Sequence, residues 1–316
     1  MLKLFEKPYR FAKLYALLLT CAAAFVLLDT FVVPKAYSIV TEPPAQTTEA
    51  TNTSPPTSAQ NTTTAQSPAV PTTEKPAVRI SDRAYEDENI RIAITTTRAY
   101  DTTVHIAEVQ IKDVHYLKTA FADNTFGRNI TANTSQIAKE NNAIFAINGD
   151  YCGFRGSGYV LRNGVLYRST GEETACVLDE TGQLSAIPES LLQATASYWQ
   201  IWSFGPVLLD GGIPTVDEHS EISGRTANSN PRTAIGQIAP LHFCFVVSEG
   251  RTSGNAGLSL LQLAQVCADR GCTFAYNLDG GGSSTMWFNG QLVNAPSTGG
   301  NKISERAVSD IVFIGY

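Results

Sequence analysis

The stretch SLLQLAQVCADRGCTFAYNLDGGGSST, residues 259–285, decides how this chain is read. Ser259 is an N-cap residue type, because its hydroxyl can accept from the free N–H groups of a first helical turn. Leu260, Leu261, Leu263, Ala264, Val266 and Cys267 then form a broad apolar face at helical spacing. Gly271 is the residue type that ends helices at the left-handed C′ position. Thr273–Asn277 is a short apolar run suited to a buried strand, and it enters three consecutive glycines. The stretch therefore predicts a helix, a buried strand and a tight turn in succession. Outward from it, Ile90–Thr97 and Val104–Ile111 alternate apolar and polar residues, as half-buried strands do. Ala143–Ile147, Arg232–Ile238, Leu241–Val247 and Val308–Ile314 are short apolar runs fit for buried strands, and Thr134–Asn141 is a second helical pattern. No internal repeat is visible. The expected class is α+β, with mixed, mainly antiparallel β-sheets and few helices.

The turn after Asn277 is also the richest in chemistry. Gly280, Gly281 and Gly282 allow unusual backbone angles and close approach of a ligand. Successive N–H groups there can form an anion-binding nest, with Ser283 and Ser284 as hydroxyl donors and Asp279 as an adjoining carboxylate. The alternative is a glycine-rich turn with a capping Asp. The turn matches neither the P-loop pattern nor the G-x-S-x-G of serine hydrolases. Four more strand ends carry polar residues of interest: Asn148 and Asp150 beside Gly149, Asp210 before Gly211, Arg232 at the start of an apolar run, and Glu305-Arg306 before Asp310. An Arg at a strand end is either an edge residue or a fork for phosphate or carboxylate. Glu249 follows a further strand. Clustered carboxylates suit Ca²⁺ or Mg²⁺, so a divalent cation on Asp150, Asp210 or Asp279 is an open option, although no cofactor is demanded. Trp199 and Trp202 fit either sugar stacking or the core. The five cysteines after residue 40 leave room for one or two disulfides and at least one thiol, and no C-x-x-C pair is present.

The N-terminal region reads as a membrane address. Lys3, Lys7, Arg10 and Lys13 precede Leu14–Val33, 20 apolar residues that suffice to span a bilayer core. The basic flank puts residues 1–40 in the class of single-pass signal-anchors, with the N-terminus cytoplasmic and the rest outside. A cleaved signal peptide is the alternative, though Val33-Pro34-Lys35-Ala36 offers no clean small-x-small site. Residues 41–78 hold eleven Thr and seven Pro and no aromatic residue, so they predict a disordered linker, a spacer between membrane and domain. Residues 79–316 form the remaining unit. The first 40 residues carry +3 and the remainder −9 of a net charge of −6, a balance that excludes a dense basic footprint for nucleic acid. With 43% apolar residues the chain is neither collagen-like nor wholly disordered.

Taken together, Ala146–Gly149, Arg232–Gly236, the helix ending at Gly271, the Asn277–Thr285 run, Gly290, Val293-Asn294 and Glu305-Arg306-x-Val308-x-Asp310 resemble the phosphodiester glycosidase family. The resemblance runs in order from about Ile90 to the C-terminus. Asp150-Tyr151-Cys152 departs from it, since many members carry Gly and aromatic residues there. The anchor and linker ahead of the domain resemble those of bacterial surface proteins. The resemblance implies hydrolysis of a sugar-1-phosphate ester, with α-N-acetylglucosaminyl as one candidate, to free sugar and a phosphomonoester. Asp279, Glu249, Asn148 and Arg232 are then the expected catalytic group. Asp279 is the leading carboxylate at the anomeric carbon, Glu249 the second, and Asn148 orients sugar or phosphate. Gly280, Gly281, Gly282, Ser283, Ser284, Arg306 and Asp150 are the expected substrate and phosphate contacts. A non-catalytic module that binds or assembles phosphorylated envelope glycans is the rival expectation.

Overall fold

A computed structural model describes residues 8–38, 78–192, 197–222, 225–226, 228–298 and 302–316. The Thr/Pro-rich stretch expected to be a disordered linker lies outside these, apart from Val78, as do Lys3 and Lys7. Among the described residues there are three α-helices, and every strand pairing is antiparallel.

Three sheets carry the fold. A nine-stranded sheet runs in the order Ile213–Pro214, Val207–Asp210, Phe274–Asn277, Arg232–Ala239, His242–Ser248, Thr102–Ile111, Ile90–Ala99, Ala84–Glu86 and Arg79–Ile80. A five-stranded sheet is ordered Val165–Thr170, Gly158–Arg162, Tyr198–Trp202, Thr174–Asp179, Leu184–Pro188. A second five-stranded sheet is ordered Gln291–Leu292, Met286–Phe288, Phe145–Asn148, Asp310–Ile314, Leu117–Phe121. The alternation of Ile90, Ile92 and Ile94 buries one side of their strand and leaves Arg91 and Ala93 exposed. All three sheets face one core, to which they contribute Ile92, Phe245 and Tyr276, then Leu178 and Trp202, then Phe145 and Val312. Trp202 is thus a core residue. Trp199 is half-buried and donates its indole N–H to the Leu117 carbonyl at 2.6 Å.

The helix Leu260–Asp269 covers the other face of the nine-stranded sheet. Leu260, Leu263, Ala264 and Cys267 pack there on Ile106, Leu208, Ala234, Val246 and Ala275. Burying each leucine stabilises the layer by about 2 kcal/mol. The helix opens with a reciprocal cap: the Gln262 N–H donates to Ser259 Oγ at 3.2 Å, and the Ser259 N–H to Gln262 Oε1 at 2.9 Å. Ser259→Ala is expected to lower stability by about 1 kcal/mol, read as a shift in urea midpoint with unchanged slope. The one or two disulfides for which the sequence leaves room are not formed: all six cysteines are free thiols, and the five beyond the first helix are buried.

The N-terminal helix is Pro8–Phe31, longer at its start than the apolar run because proline fits a first helical turn. It ends ahead of Pro34, whose ring disfavours helix in the preceding residue. Its segment Phe11–Phe31 is long and apolar enough to cross a membrane, as a signal anchor or a signal peptide is. Beyond it, Lys35–Ala36 pairs antiparallel with Gly127–Arg128. Arg79–Ile80 forms the far edge of the large sheet.

Candidate active site

Two strand ends meet at the centre of the site. Strand 145–148 ends in Asn148-Gly149, and strand 274–277 continues into Leu278-Asp279. Asn148 joins them. Its amide Nδ2 donates to the Asp279 carbonyl at 2.6 Å, and its Oδ1 accepts from Thr233 Oγ1 at 2.8 Å and the Thr285 N–H at 3.2 Å. The Asp279 N–H in turn donates to the Gly149 carbonyl. Asn148 is fully buried with its amide committed, so the residue expected to orient substrate instead fixes the backbone of Asp279.

Asp279 is 8% exposed. Oδ1 accepts from the Gly280 N–H at 2.9 Å and Oδ2 from Arg306 Nη2 at 2.9 Å. Burial pushes its carboxyl above the usual range, and the Arg306 guanidinium and the Ser283 hydrogen bond pull back. Arg306 also donates to Ser283 Oγ from Nε at 2.9 Å and from Nη2 at 2.6 Å, and to the Gly280 carbonyl at 3.1 Å.

The glycine turn differs from the expected nest. Gly281–Ser283 winds into a single 3₁₀ turn. The N–H groups of Gly280, Gly281, Ser283 and Ser284 go to Asp279 Oδ1 and to the carbonyls of Pro231, Gly280 and Gly281. Those four N–H groups are therefore engaged within the protein. The positive charge comes from side chains instead. Gly281, at φ 63°, leaves room for Arg251, whose Nη2 would stand 2.8 Å from an added Cβ. Arg232 lies beneath the turn, 4% exposed, and donates to the Leu258 carbonyl at 3.0 Å and the Asn228 carbonyl at 2.7 Å. Burial, with Arg251 close by, draws Arg232 down to about 10. Among the described residues neither Arg232 nor Arg251 has a carboxylate partner. Arg251 was not singled out by sequence. Its only signal is a cation directly after Glu249-Gly250 at a strand end. Ser284 Oγ is buried without a partner beside this group.

Two expected members are held by partners other than Asp279 and Arg306. Glu249 accepts from the Ala295 N–H at 3.1 Å and from Asn255 Nδ2 at 2.8 Å, and it contacts His105 Nε2 at 3.2 Å. That imidazole contact draws its carboxyl below the usual range. These contacts brace the loop that follows Asn294 and hold the Glu249 carboxylate in place. Asp150 is 1% exposed and belongs to an internal cluster with Asp310. Between them lies Arg162, with Nη2 at 2.8 Å from Asp150 Oδ1 and 3.1 Å from Asp310 Oδ2. The Ser203 N–H donates to Asp150 Oδ2 at 2.8 Å. Asp150, Asp310 and Cys152 are close enough to share a cation, but Arg162 already fills that role. The other carboxylates named as candidate metal ligands do not join them: Asp279 pairs with Arg306, and Asp210 is exposed in the pairing with Ile213.

Desolvation, then the neighbouring Asp150, raises Asp310 from 3.8 to about 6 despite Arg162. The folded state then holds a proton that the unfolded chain has released. The stability tied to this group is complete below 3.8 and drains as pH rises to about 6. Asp310→Asn should therefore flatten the decline in Tm across that window, followed by calorimetry.

A cleft of about 630 Å³ opens at the same end of strand 274–277. Arg155, Glu173, Phe204, Pro206 and Thr215 line it. Its wall is fixed to the site, because Asn277 donates to the carbonyls of Gly205 and Pro206.

With this geometry in view, the comparison with known families decides the matter: the phosphodiester glycosidase model matches residues 141–315. The chain belongs to the phosphodiester glycosidase family. It is 28% identical over 205 residues to YomE, an uncharacterised SPbeta prophage-derived protein of Bacillus subtilis (strain 168), a match covering 60% of this chain and 31% of that protein. The chain thus spans about a third of that relative's length. Among solved structures, the zebrafish N-acetylglucosamine-1-phosphodiester α-N-acetylglucosaminidase catalytic domain, auto-inhibited by its pro-peptide, aligns with TM-score 0.58 at 22% identity, over 72% of this chain and 83% of that one. A hypothetical protein from Synechocystis aligns with TM-score 0.52 at 16% identity, over 76% and 64%. These two share the fold of this phosphodiester glycosidase. The family model spans Asp279, the glycine turn, Arg232, Arg251 and Arg306.

Proposed function

We propose that this phosphodiester glycosidase hydrolyses a glycosyl phosphodiester outside the cytoplasm, freeing the sugar and leaving a phosphomonoester. The observation that carries this reading is the pairing of one nearly buried carboxylate, Asp279, with guanidinium groups of which two lack an anion, Arg232 and Arg251. Like charges held together in a partly buried place are unfavourable until an anion lies between them. A phosphodiester supplies that anion. Phosphate is a good leaving group, so the main tasks are to hold its charge and to stabilise positive charge developing on the sugar. Arg306 keeps Asp279 available as a carboxylate, either as nucleophile or as base for water. The side-chain-free turn at Gly281–Gly282 lets Arg251 and Arg306 stand close against it. The adjoining cleft, with Arg155 and Glu173, suits a polyhydroxylated sugar. An α-N-acetylglucosaminyl group is the candidate sugar, and the N-terminal helix is read as a single-pass anchor with the domain outside.

The test uses the full chain in detergent micelles with UDP-N-acetylglucosamine and a simple α-N-acetylglucosaminyl phosphodiester, with and without EDTA. Free sugar detected by mass spectrometry is the expected result, and the EDTA arm reports any need for Ca²⁺ or Mg²⁺. Binding of phosphorylated glycans without release would instead favour a non-catalytic module.

A further inference from the structure

The residues that follow the N-terminal helix do not leave the folded part. Lys35 and Ala36 lie opposite Arg128 and Gly127, and the Tyr37 N–H donates to the Phe126 carbonyl at 2.8 Å. The rings of Tyr37 and Phe126 meet at 5.4 Å. Asn129 Nδ2 donates to the carbonyls of Thr30 and Val33, at 3.2 and 3.0 Å, and so answers one free acceptor in the last helical turn and one just beyond it. Gly127 is needed for this seat: a Cβ there would stand 2.1 Å from the Lys35 carbonyl oxygen. Lys35 also pairs with Asp29 at 2.6 Å, inside the last helical turns. With neighbouring strands ~4.8 Å apart, residues 126–129 lie immediately against the exit of the helix.

This clamp adjoins the candidate active site. Arg168 stands over the Phe126 ring and donates to the carbonyls of Cys152 at 3.1 Å and Arg155 at 2.7 Å. It thereby joins the clamp to the loop that leaves Gly149, the residue hydrogen-bonded to Asp279. In that loop Tyr151 and Phe154 stack at 4.5 Å, and both are more than a third exposed. On the other side, Val308, two residues past Arg306, bridges to Ala132. Tyr151 is a residue type enriched at a membrane–water interface, with an apolar ring and a polar hydroxyl, and the exposed Phe154 extends the same apolar surface.

We propose that Thr30–Tyr37 clamps the domain onto the outer membrane face and that the site acts on glycosyl phosphodiesters whose second ester is to a membrane lipid. The inference rests on the phosphodiester reading above and adds the aglycone class. In such a substrate the phosphate lies at headgroup depth, where Arg232, Arg251 and Arg306 would meet it, and the lipid lies toward Tyr151 and Phe154.

Two measurements on the full chain in phosphatidylglycerol–phosphatidylethanolamine vesicles test this. In the first, Lys35→Cys and Arg128→Cys are combined with a protease site in the stretch 41–77. Opposed residues of an antiparallel pair lie ~5.5 Å apart at Cα, within disulfide reach. After oxidation and cleavage, the N-terminal fragment should stay joined to the domain and separate on reduction. Separation without reduction would overturn the clamp. In the second, wild type and Tyr37→Pro are offered one sugar phosphodiester in two forms, lipid-borne in the same vesicles and water-soluble. Tyr37→Pro should slow the lipid-borne substrate about tenfold or more and change the soluble rate less than about twofold, as loss of local concentration would. Hydrolysis of the soluble form alone, or an equal effect on both, would overturn the lipid proposal and leave the phosphodiester reading standing. Hydrolysis of neither would overturn both.

Discussion

Asp279→Asn should reduce sugar release from a glycosyl phosphodiester by about a hundredfold to ten-thousandfold while the protein stays folded. Asparagine keeps the size of the side chain and an oxygen able to accept the Gly280 N–H, now 2.9 Å from Oδ1. It removes the charge that faces Arg306 Nη2. The position is nearly buried, so some change in Tm is expected, and native-like circular dichroism separates lost chemistry from lost fold. The loss should fall mainly on kcat, because the phosphate is held by guanidinium groups that the substitution leaves in place. Phosphodiester binding by the variant should persist, and removal of a charge of the same sign as the phosphate should strengthen it. Near wild-type kcat in a folded Asp279→Asn protein would remove this carboxylate from the mechanism.

The largest effect on stability is expected at a residue that touches no substrate. Arg162→Met should destabilise the fold by about 3–5 kcal/mol in a denaturant titration, because it strands two buried carboxylates without a cation. Arg162 is 1% exposed, and its guanidinium also donates to the carbonyls of Ile201 and Leu161. It fastens strand 158–162 to Asp150, just past strand 145–148, and to Asp310 at the head of strand 310–314. Two sheets are thereby joined next to Gly149. Arg162→Met combined with Asp150→Asn and Asp310→Asn should recover part of the loss, since the uncompensated charge is then gone. A single substitution that costs under about 1 kcal/mol would show that water reaches the cluster.

Local signals in the sequence were enough for the elements whose chemistry is local. Ser259 and Gly271 bound the helix because caps act within one turn, and the isoleucines at 90, 92 and 94 declare their strand because alternation is a property of the strand itself. The structural pairing of the three sheets was not legible, because register between distant strands leaves no mark in either one. The site divides in the same way. Asp279 and Arg306 were legible as polar residues at turns, and the structure brings them to 2.9 Å. The direction of the Gly281–Ser283 turn was not: the glycines suggest open N–H groups, whereas those of Gly281, Ser283 and Ser284 close on Pro231 and on the turn itself. Asn148 and Asp150 looked like substrate residues beside Gly149 because sequence carries no record of burial. Arg162 ends an ordinary GYVLR strand, and only the meeting of three segments gives its charge a purpose.

The closed hydrogen bonding of the glycine turn has a consequence for how such an enzyme could change its diet. A cradle whose backbone is already tied to Pro231 and to itself is finished before any ligand arrives, and it admits little variation. The neighbouring segments, such as Tyr151 to Ser157 and the rim near Arg251, hang from that fixed centre as loops. New sugar or aglycone preferences can therefore be sought by grafting or randomising those loops, with the turn from Asp279 to Ser284 kept as an invariant anvil.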